Sequence, residues 1–142
     1  MRTALSLALL ATVGSTTGLA QSPPALVING LTAMVDQGPQ LAVETWFRGS
    51  RLENDGGTKQ TFVEQFQLFA RQAGGVLGHD LVHVHQLGPN YSITYAIIRY
   101  ETDPLFIAID VYNGQGGWRL MDIKLNDNAG EVFPKALLEP GS

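Results

Sequence analysis

The stretch that decides the fold is VLGHDLVHVHQLGPNYSITYAIIRYETDPLFIAIDVYNGQGGWRLMDIKLN, residues 76–126. Apolar and polar side chains alternate through much of it, and this period of two is typical of β-strands. The alternation is interrupted by the short links GPN, TDP and GQGG, whose residues favour tight turns. Consecutive strands joined by such links must be antiparallel, because a parallel crossover needs about a dozen residues or more. The pattern therefore predicts a four-stranded antiparallel meander, with strands over 76–87, 91–101, 105–113 and 118–126.

Helices are predicted ahead of this sheet, in residues 22–73. Ser22 is a candidate cap for the first helix, Pro39 suits the first turn of the second, and Thr58 or Thr61 suits the cap of the third. A final turn of helix is predicted in the tail, over 136–138. The chain is therefore expected to fold with its helices first and its strands afterwards.

The third predicted helix carries an aromatic stripe. Phe62, Phe66, Phe69 and Ala73 lie at positions i, i+4, i+7 and i+11, which is one face of a helix. Such a stripe can line a pocket, although it more often forms part of a core.

Helices followed by an antiparallel sheet define an α+β fold, in which N-terminal helices pack on one face of a curved four-stranded meander.

The middle strands are apolar on both faces. In the third strand Leu105, Ile107 and Ile109 lie on one side, while Phe106 and Ala108 lie on the other. The helices can cover only one of these faces. We therefore expect the other face to bind a partner subunit, which predicts a homodimer through the sheet face.

Composition narrows the class of protein. The 142 residues suit one domain, and 44% hydrophobic and 15% charged residues are typical of a globular chain. The formal charge is −4 and no Lys/Arg cluster is present, which argues against binding of nucleic acid. The absence of cysteine excludes disulfides, thiolate nucleophiles and zinc–thiolate sites.

The N-terminus has the form of a secretory signal peptide. Arg2 provides the positive region, residues 4–13 the apolar stretch, and Gly18-Leu19-Ala20 a small-x-small cleavage site. A membrane anchor is the alternative, but the apolar stretch of about ten residues is well short of the roughly twenty that span a bilayer. The sequence thus predicts a signal peptide over 1–20, a single domain over 21–142, and export to a bacterial periplasm or the medium.

A family resemblance rests on the order of the elements and on a few segments. These are the hairpin at Gly116-Gly117-Trp118, the Y-x-I-x-Y strand over 91–95, and the closing Phe133-Pro134. Together they resemble the nuclear transport factor 2-like superfamily, which includes ketosteroid isomerases and the SnoaL-like polyketide cyclases, and especially its small exported members without assigned activity. The resemblance covers about 25–138 and implies a cone-shaped, cystatin-like sheet with a pocket at its mouth. The aspartate base and the tyrosine–acid pair of the isomerases do not map residue by residue onto this chain.

Six side chains are candidates to line such a pocket. Two come from the aromatic stripe, and an aspartate and a tyrosine are of the types that cone-fold enzymes use. An arginine could bind an anionic ligand, or could instead pair with a carboxylate such as Glu101 or Asp103 or lie on an outer face. A tryptophan after the turn glycines could stack on a ligand. The six candidates are Phe66, Phe69, Tyr95, Arg99, Asp110 and Trp118.

All three histidines of the chain lie on the first predicted strand. Residues two apart on a strand point to the same side about 6.5–7 Å apart, so His83 and His85 are weak candidates for a metal pair, with His79 further along that face. A third ligand such as Asp110 or Glu101 on a neighbouring strand would complete the site, and acid–base chemistry is a further alternative for the histidines. A solvent-exposed face with the valines inward explains the same alternation and is favoured. No resident cofactor is expected.

Two classes of function agree with these features. The favoured one is a non-catalytic exported domain that binds a small apolar ligand or a protein partner. The alternative is a small cone-fold isomerase, dehydratase or cyclase acting on a hydrophobic substrate, which would need an Asp or His in the pocket beside a Tyr or a second acid.

Overall fold

Three helices precede the sheet in the computed structural model, which describes residues 22–140. They are α1 (Ala25–Asp36), α2 (Pro39–Phe47) and α3 (Gly56–Ala73). The predicted signal peptide over 1–20 lies outside the described residues. None of the described helices is long and apolar enough to cross a membrane.

The helix starts differ from two of the sequence predictions. Pro24, not Ser22, lies at the N-cap position of α1, and it makes no side-chain capping bond. Asp55 caps α3, because its carboxylate accepts hydrogen bonds from the Thr58 N–H at 3.0 Å and the Thr58 hydroxyl at 2.9 Å. Helix α3 therefore begins at two glycines, Gly56 and Gly57, which lie before both predicted caps, since an Asp cap can outweigh the low helix propensity of glycine.

The predicted meander is confirmed. Strands β1 (Val76–Gln86), β2 (Tyr91–Tyr100), β3 (Pro104–Gly114) and β4 (Gly117–Asn126) form one sheet in the order β1-β2-β3-β4, and each neighbouring pair is antiparallel. The turn between β3 and β4 is only two residues long, and Gly116 and Gly117 have φ values of 101° and 103°. This left-handed backbone favours glycine.

The helices pack on one side of the sheet, which we call the helical face. Trp46 of α2 is fully buried there, and its indole N–H donates a hydrogen bond to the Val27 carbonyl of α1 at 3.2 Å. Its ring lies 6.1 Å from the ring of Phe66 on α3. One tryptophan thus contacts all three helices. The strand side of this core consists of Ala96, Ile98 and Tyr100 of β2, Leu105, Ile107, Ile109 and Val111 of β3, and Leu120 and Ile123 of β4.

The opposite side, the outer face, has a cluster of its own. The chain turns back after β4 through a short 3-10 helix (Ala129–Glu131) and helix α4 (Lys135–Leu138). The Phe133 ring is buried between these two elements, edge-on to the rings of Tyr95 and Phe106 at 5.7 and 5.4 Å. The turn of helix predicted near the end of the chain is confirmed. Segment 129–138, which we call the cap, covers the centre of this outer face, where the sequence analysis predicted contact with a partner subunit.

A bulge in β1 separates the histidines. The register shifts between Leu81 and His83, so that His79 lies opposite Ile98 on the helical face, while His83 and His85 lie opposite Tyr95 and Ile93 on the outer face. The prediction that all three share a face is therefore wrong. An extra residue reverses the side to which every later side chain points.

Three hydroxyls are buried on the helical face without a partner within residues 22–140, and they belong to Ser92, Thr94 and Tyr100. Ser92 and Thr94 are fully buried, and neither hydroxyl finds a hydrogen-bond partner within residues 22–140. Ser50 makes a contrast, because its hydroxyl donates to the Phe47 carbonyl at 2.8 Å and accepts from the Leu52 N–H at 3.2 Å. A buried hydroxyl that lacks a bond carries a desolvation cost that an apolar group of the same shape does not.

We expect Thr94→Val to raise the free energy of unfolding by about 1 kcal/mol, since valine has nearly the same shape and no hydroxyl to desolvate. Urea unfolding followed by circular dichroism measures the change. Ser50→Ala is the control, and it should lower stability by about 1 kcal/mol because it removes bonds that are made. A loss of stability in Thr94→Val would contradict this account of the buried hydroxyl.

Candidate functional site

The six candidate residues divide between the two faces of the sheet. Phe66, Phe69 and Trp118 belong to the helical side, where they form or pack against the main core. Tyr95, Arg99 and Asp110 lie on the outer face. Side chains alternate between the two faces along β2 and β3, and these three occupy the positions that point away from the helices. The structure therefore does not bring the six together around one pocket.

The helical-side aromatics have packing partners. Phe66 is fully buried against Trp46. Phe69 packs edge-on against Tyr100, with ring centroids 4.8 Å apart. Trp118 packs half-buried against the edge of the same core. A shallow groove of about 230 Å³ runs beside Phe69, between α3 and the ends of β3 and β4.

The outer face holds the candidate site, a groove of about 300 Å³ between the sheet and α4. Its floor is formed by His83, His85 and Tyr95 of β1 and β2, and its wall by residues of the cap. The wall residues are Pro134, Ala136 and Leu137. The sequence thus singled out the floor residues as candidates, and it predicted the helical turn that forms the wall but not that this turn packs beside them.

Local structure explains how the groove forms. The β1 bulge turns both imidazoles onto the outer face, where the His83 ring lies nearly parallel to the Tyr95 ring at 6.5 Å. Phe133, on the far side of Tyr95, holds the start of α4 against the sheet. The groove is therefore bounded by strands on one side and by an anchored cap on the other.

The two outer-face histidines do not form a complete metal site. Their ring centroids are 6.4 Å apart, and both side chains are exposed. Within residues 22–140 no group of three or more His, Cys, Asp or Glu side chains is placed to hold a metal ion. The pair can instead offer N–H donors and ring faces to an organic ligand.

Tyr95 contributes a protonated phenol to the groove. Burial raises the pKa of Tyr95 above its ordinary value, and the negative charge of Asp110 raises it further. The phenol therefore keeps its proton at neutral pH, where it can donate a hydrogen bond or present its ring to an apolar ligand.

A tyrosine–aspartate pair lies along the same face, outside the groove. The Tyr91 hydroxyl donates to the Asp110 carboxylate at 2.7 Å, and Asp122 of β4 lies directly opposite Asp110. Burial, then the hydrogen bond from Tyr91 to Asp110, and then the charges of Asp110 and Asp122, raise the pKa of Tyr91 to about 12. The sequence identified Asp110 as a candidate but missed Tyr91, whose position directly before the S-I-T-Y alternation gave the one available signal.

Arg99 has a different partner from those considered in the sequence. Its guanidinium Nε lies 3.1 Å from the Asp80 carboxylate on the neighbouring strand, and both side chains are about half exposed. The suggestion of Glu101 or Asp103 followed from nearness along the chain, whereas cross-strand register decides which residues meet. An exposed pair of this kind contributes little to stability.

Comparisons of this chain with protein-family models, with curated proteins and with solved structures found no match.

Proposed function

We propose that this protein is an exported, non-catalytic domain that binds a small apolar ligand, or an apolar group of a protein partner, in the groove between the sheet and α4. The observation that carries the proposal is the lining of that groove, where an aromatic ring and three cap residues, Pro134, Ala136 and Leu137, surround two imidazoles. Ligand sites are typically concave and mostly apolar, with a few polar groups that fix orientation.

The lining also indicates the kind of ligand. A volume of about 300 Å³ is at the lower end of the range for ligand pockets, so the groove suits a small molecule or one group of a larger one. The Tyr95 phenol and the imidazoles can donate hydrogen bonds at the floor. We therefore favour a ligand with a flat apolar body and one hydrogen-bond acceptor.

Leu137 and Leu138 provide a matched test of the groove. Leu137 lines it, while Leu138 is exposed and does not. We expect Leu137→Lys to weaken the binding of the neutral fluorescent apolar probe Nile red by about tenfold or more, because a charged side chain would occupy the apolar wall, and Leu138→Lys to leave it nearly unchanged. Fluorescence titration measures both constants. Equal binding by both variants, or no binding by the unaltered protein, would refute the proposal.

The proposal includes export, with removal of residues 1–20, to a bacterial periplasm or the medium. It also includes membership of the nuclear transport factor 2-like superfamily with its cone-shaped sheet, and support for this comes from the order of three helices and a four-stranded meander. Native mass spectrometry of the protein purified from its own host tests export through the mass of the mature chain. The same spectrum reports any retained ligand.

The enzymatic alternative, a small isomerase, dehydratase or cyclase, is favoured by the Tyr91–Asp110 hydrogen bond of 2.7 Å. A carboxylate beside a phenol is an arrangement that general acid–base catalysis uses. Neither residue lines the groove, however, so a substrate bound there would not touch the pair. Turnover of a hydrophobic ketone that is lost in Asp110→Asn would support this alternative over simple binding.

A homodimer is the last part of the proposal. The cap covers the middle of the outer face, so the surface open to a partner lies at its margins. Tyr112 is exposed at one margin, and His83 and His85 are exposed at the other.

A further inference from the structure

The two edges of the sheet differ in how they are protected. Strands β1 and β4 are the edges. Strand β4 carries Arg119, Asp122 and Lys124, and charged side chains of this kind are how proteins prevent edge-to-edge association. Strand β1 has eleven residues, Val76–Gln86, and Asp80 is its one Asp, Glu, Lys or Arg. Asp80 is already paired with Arg99. The edge at β1 is thus long and nearly free of charge.

Apolar side chains are also exposed along β1. Leu77, Leu81 and Val82 are 58%, 45% and 39% exposed, and Leu87 just beyond the strand is 59% exposed. They account for four of the seven large hydrophobic side chains that are exposed within residues 22–140. A concentration of apolar surface at one unprotected edge indicates a binding surface for another polypeptide.

We propose that β1 is the interface with a second copy of this chain, in which the two β1 strands pair antiparallel about a two-fold axis and join the two sheets. This inference deepens the homodimer of the proposed function, and it places the contact at the strand edge rather than on the covered centre of the outer face. The other edge, β4, carries charged side chains that disfavour pairing, so each copy uses its β1 edge. A contact between two identical edges is isologous, and it closes the assembly at two chains.

Charge and side-chain direction favour a second copy as the occupant. In β1, Asp80 and His83 lie on the outer face, whereas His79, Leu81 and Val84 lie on the helical face, as their β2 partners show. In an antiparallel pair, residues directly opposite each other point to the same face. A register that places Asp80 opposite the partner's His83 meets this condition.

In the same register, the residue pairs on either side of Asp80 and the partner's His83 also consist of side chains that point to the same face. It places Gly78 opposite the partner's His85 and His79 opposite the partner's Val84, and it brings the exposed Leu81 and Val82 of each copy together at the two-fold axis. The bulge makes this possible, because it lets Asp80 and His83 share a face although they are three residues apart. Each copy supplies one carboxylate acceptor and one imidazole N–H donor, so the pairing is self-complementary.

The joined sheet would also extend the ligand groove. His83 and His85 of β1 form one side of the groove, and no strand within residues 22–140 pairs with β1 on its other side. The partner's outer face would continue the floor across the two-fold axis.

Sedimentation velocity of the purified protein tests the proposal. Over loading concentrations of about 1 to 100 μM, where dimers of this interface class are populated, we expect the mass of two chains. Val82→Lys should raise the dissociation constant about a hundredfold or more, since two lysines would meet at the axis. Leu68→Lys is the control, because Leu68 is similarly exposed on α3, and its dissociation constant should stay within about threefold of the unaltered value.

The outcomes separate clearly. A mass of one chain at every concentration would overturn the proposal, as would a mass above two chains or a folded Val82→Lys protein that remains dimeric. Circular dichroism and a thermal melt establish that each variant is folded. Probe binding by the monomeric Val82→Lys protein keeps a failure of the dimer distinct from a failure of the ligand groove.

A charge swap tests the register. His83→Asp alone would place two carboxylates against each other and weaken the dimer, whereas the double change Asp80→His with His83→Asp restores the opposite pairing. Recovery of dimer in the double variant supports the register. Failure to recover, with the protein folded, would overturn it.

Discussion

We expect Gly30→Ala to lower the free energy of unfolding by about 3 kcal/mol, although alanine is the better helix former. A Cβ atom at this position of α1 would overlap the indole ring of Trp46. That ring is fully buried, is held by its hydrogen bond to Val27 and contacts Phe66, so it cannot move aside without opening the core. The cost of overpacking therefore exceeds the gain of roughly 1 kcal/mol in helix propensity.

Urea unfolding measures this loss, and Gly57→Ala is its matched control. Gly57 lies in the first turn of α3, where a new Cβ would meet one atom, the Asp55 carboxylate oxygen at an ordinary 3.6 Å. We expect Gly57→Ala to leave stability unchanged or to raise it by about 0.5 kcal/mol, because alanine restricts the unfolded chain. A double-mutant cycle with Trp46→Phe should show coupling, since the smaller ring leaves space for the added methyl group. Additive effects would contradict the steric explanation.

Phe133→Ala is expected to release the cap from the outer face. The Phe133 ring is the buried link between the cap and the aromatic rings of Tyr95 and Phe106, and truncation of a buried phenylalanine costs about 3–5 kcal/mol when the whole fold depends on it. The cap contacts the small outer cluster rather than the main core. We therefore expect most of the loss to appear as local opening of 129–138, with a smaller fall in global stability.

Amide hydrogen exchange distinguishes local from global loss. The N–H groups of Val132, Phe133 and Leu137 bond within the cap, at 3.1, 2.8 and 3.0 Å to carbonyls of Ala129 and Pro134. They should exchange much faster in Phe133→Ala, while amides in β3 keep their protection. Leu138→Ala serves as the control, because Leu138 is exposed. Equal loss of protection in the cap and in β3 would show that the outer cluster and the main core form one cooperative unit.

The sequence predicted the architecture because the deciding signals are local. Short links with turn-forming residues force antiparallel strands, and the apolar alternation of 105–111 places each side chain on its face. Those signals depend only on residues that are close together in the chain, so they can be interpreted without knowledge of the tertiary structure. The start of α3 was placed too late because Gly56 and Gly57 resemble a turn until the cap by Asp55 is known.

The candidate site was only partly accessible from the sequence. His83, His85 and Tyr95 were named from residue type, and they do form the floor of one groove. The bulge that separates His79 from them has no signal in the alternation, because its extra residue, Val82, is as apolar as a regular strand residue. The wall from the cap depends on where 129–138 folds back, and the placement of this short segment is decided by long-range packing of one ring, Phe133.

Synthesis runs from the amino end, so the ribosome delivers Phe133 twenty-seven residues after Phe106, the ring against which it packs. At common elongation speeds this gap lasts roughly one to five seconds. Until the cap is in place, the apolar cluster on the outer face of the sheet is exposed to water. A chain that has formed its sheet but not yet its cap is therefore expected to associate with other chains through this surface. A chaperone would be needed at that stage to keep such chains apart.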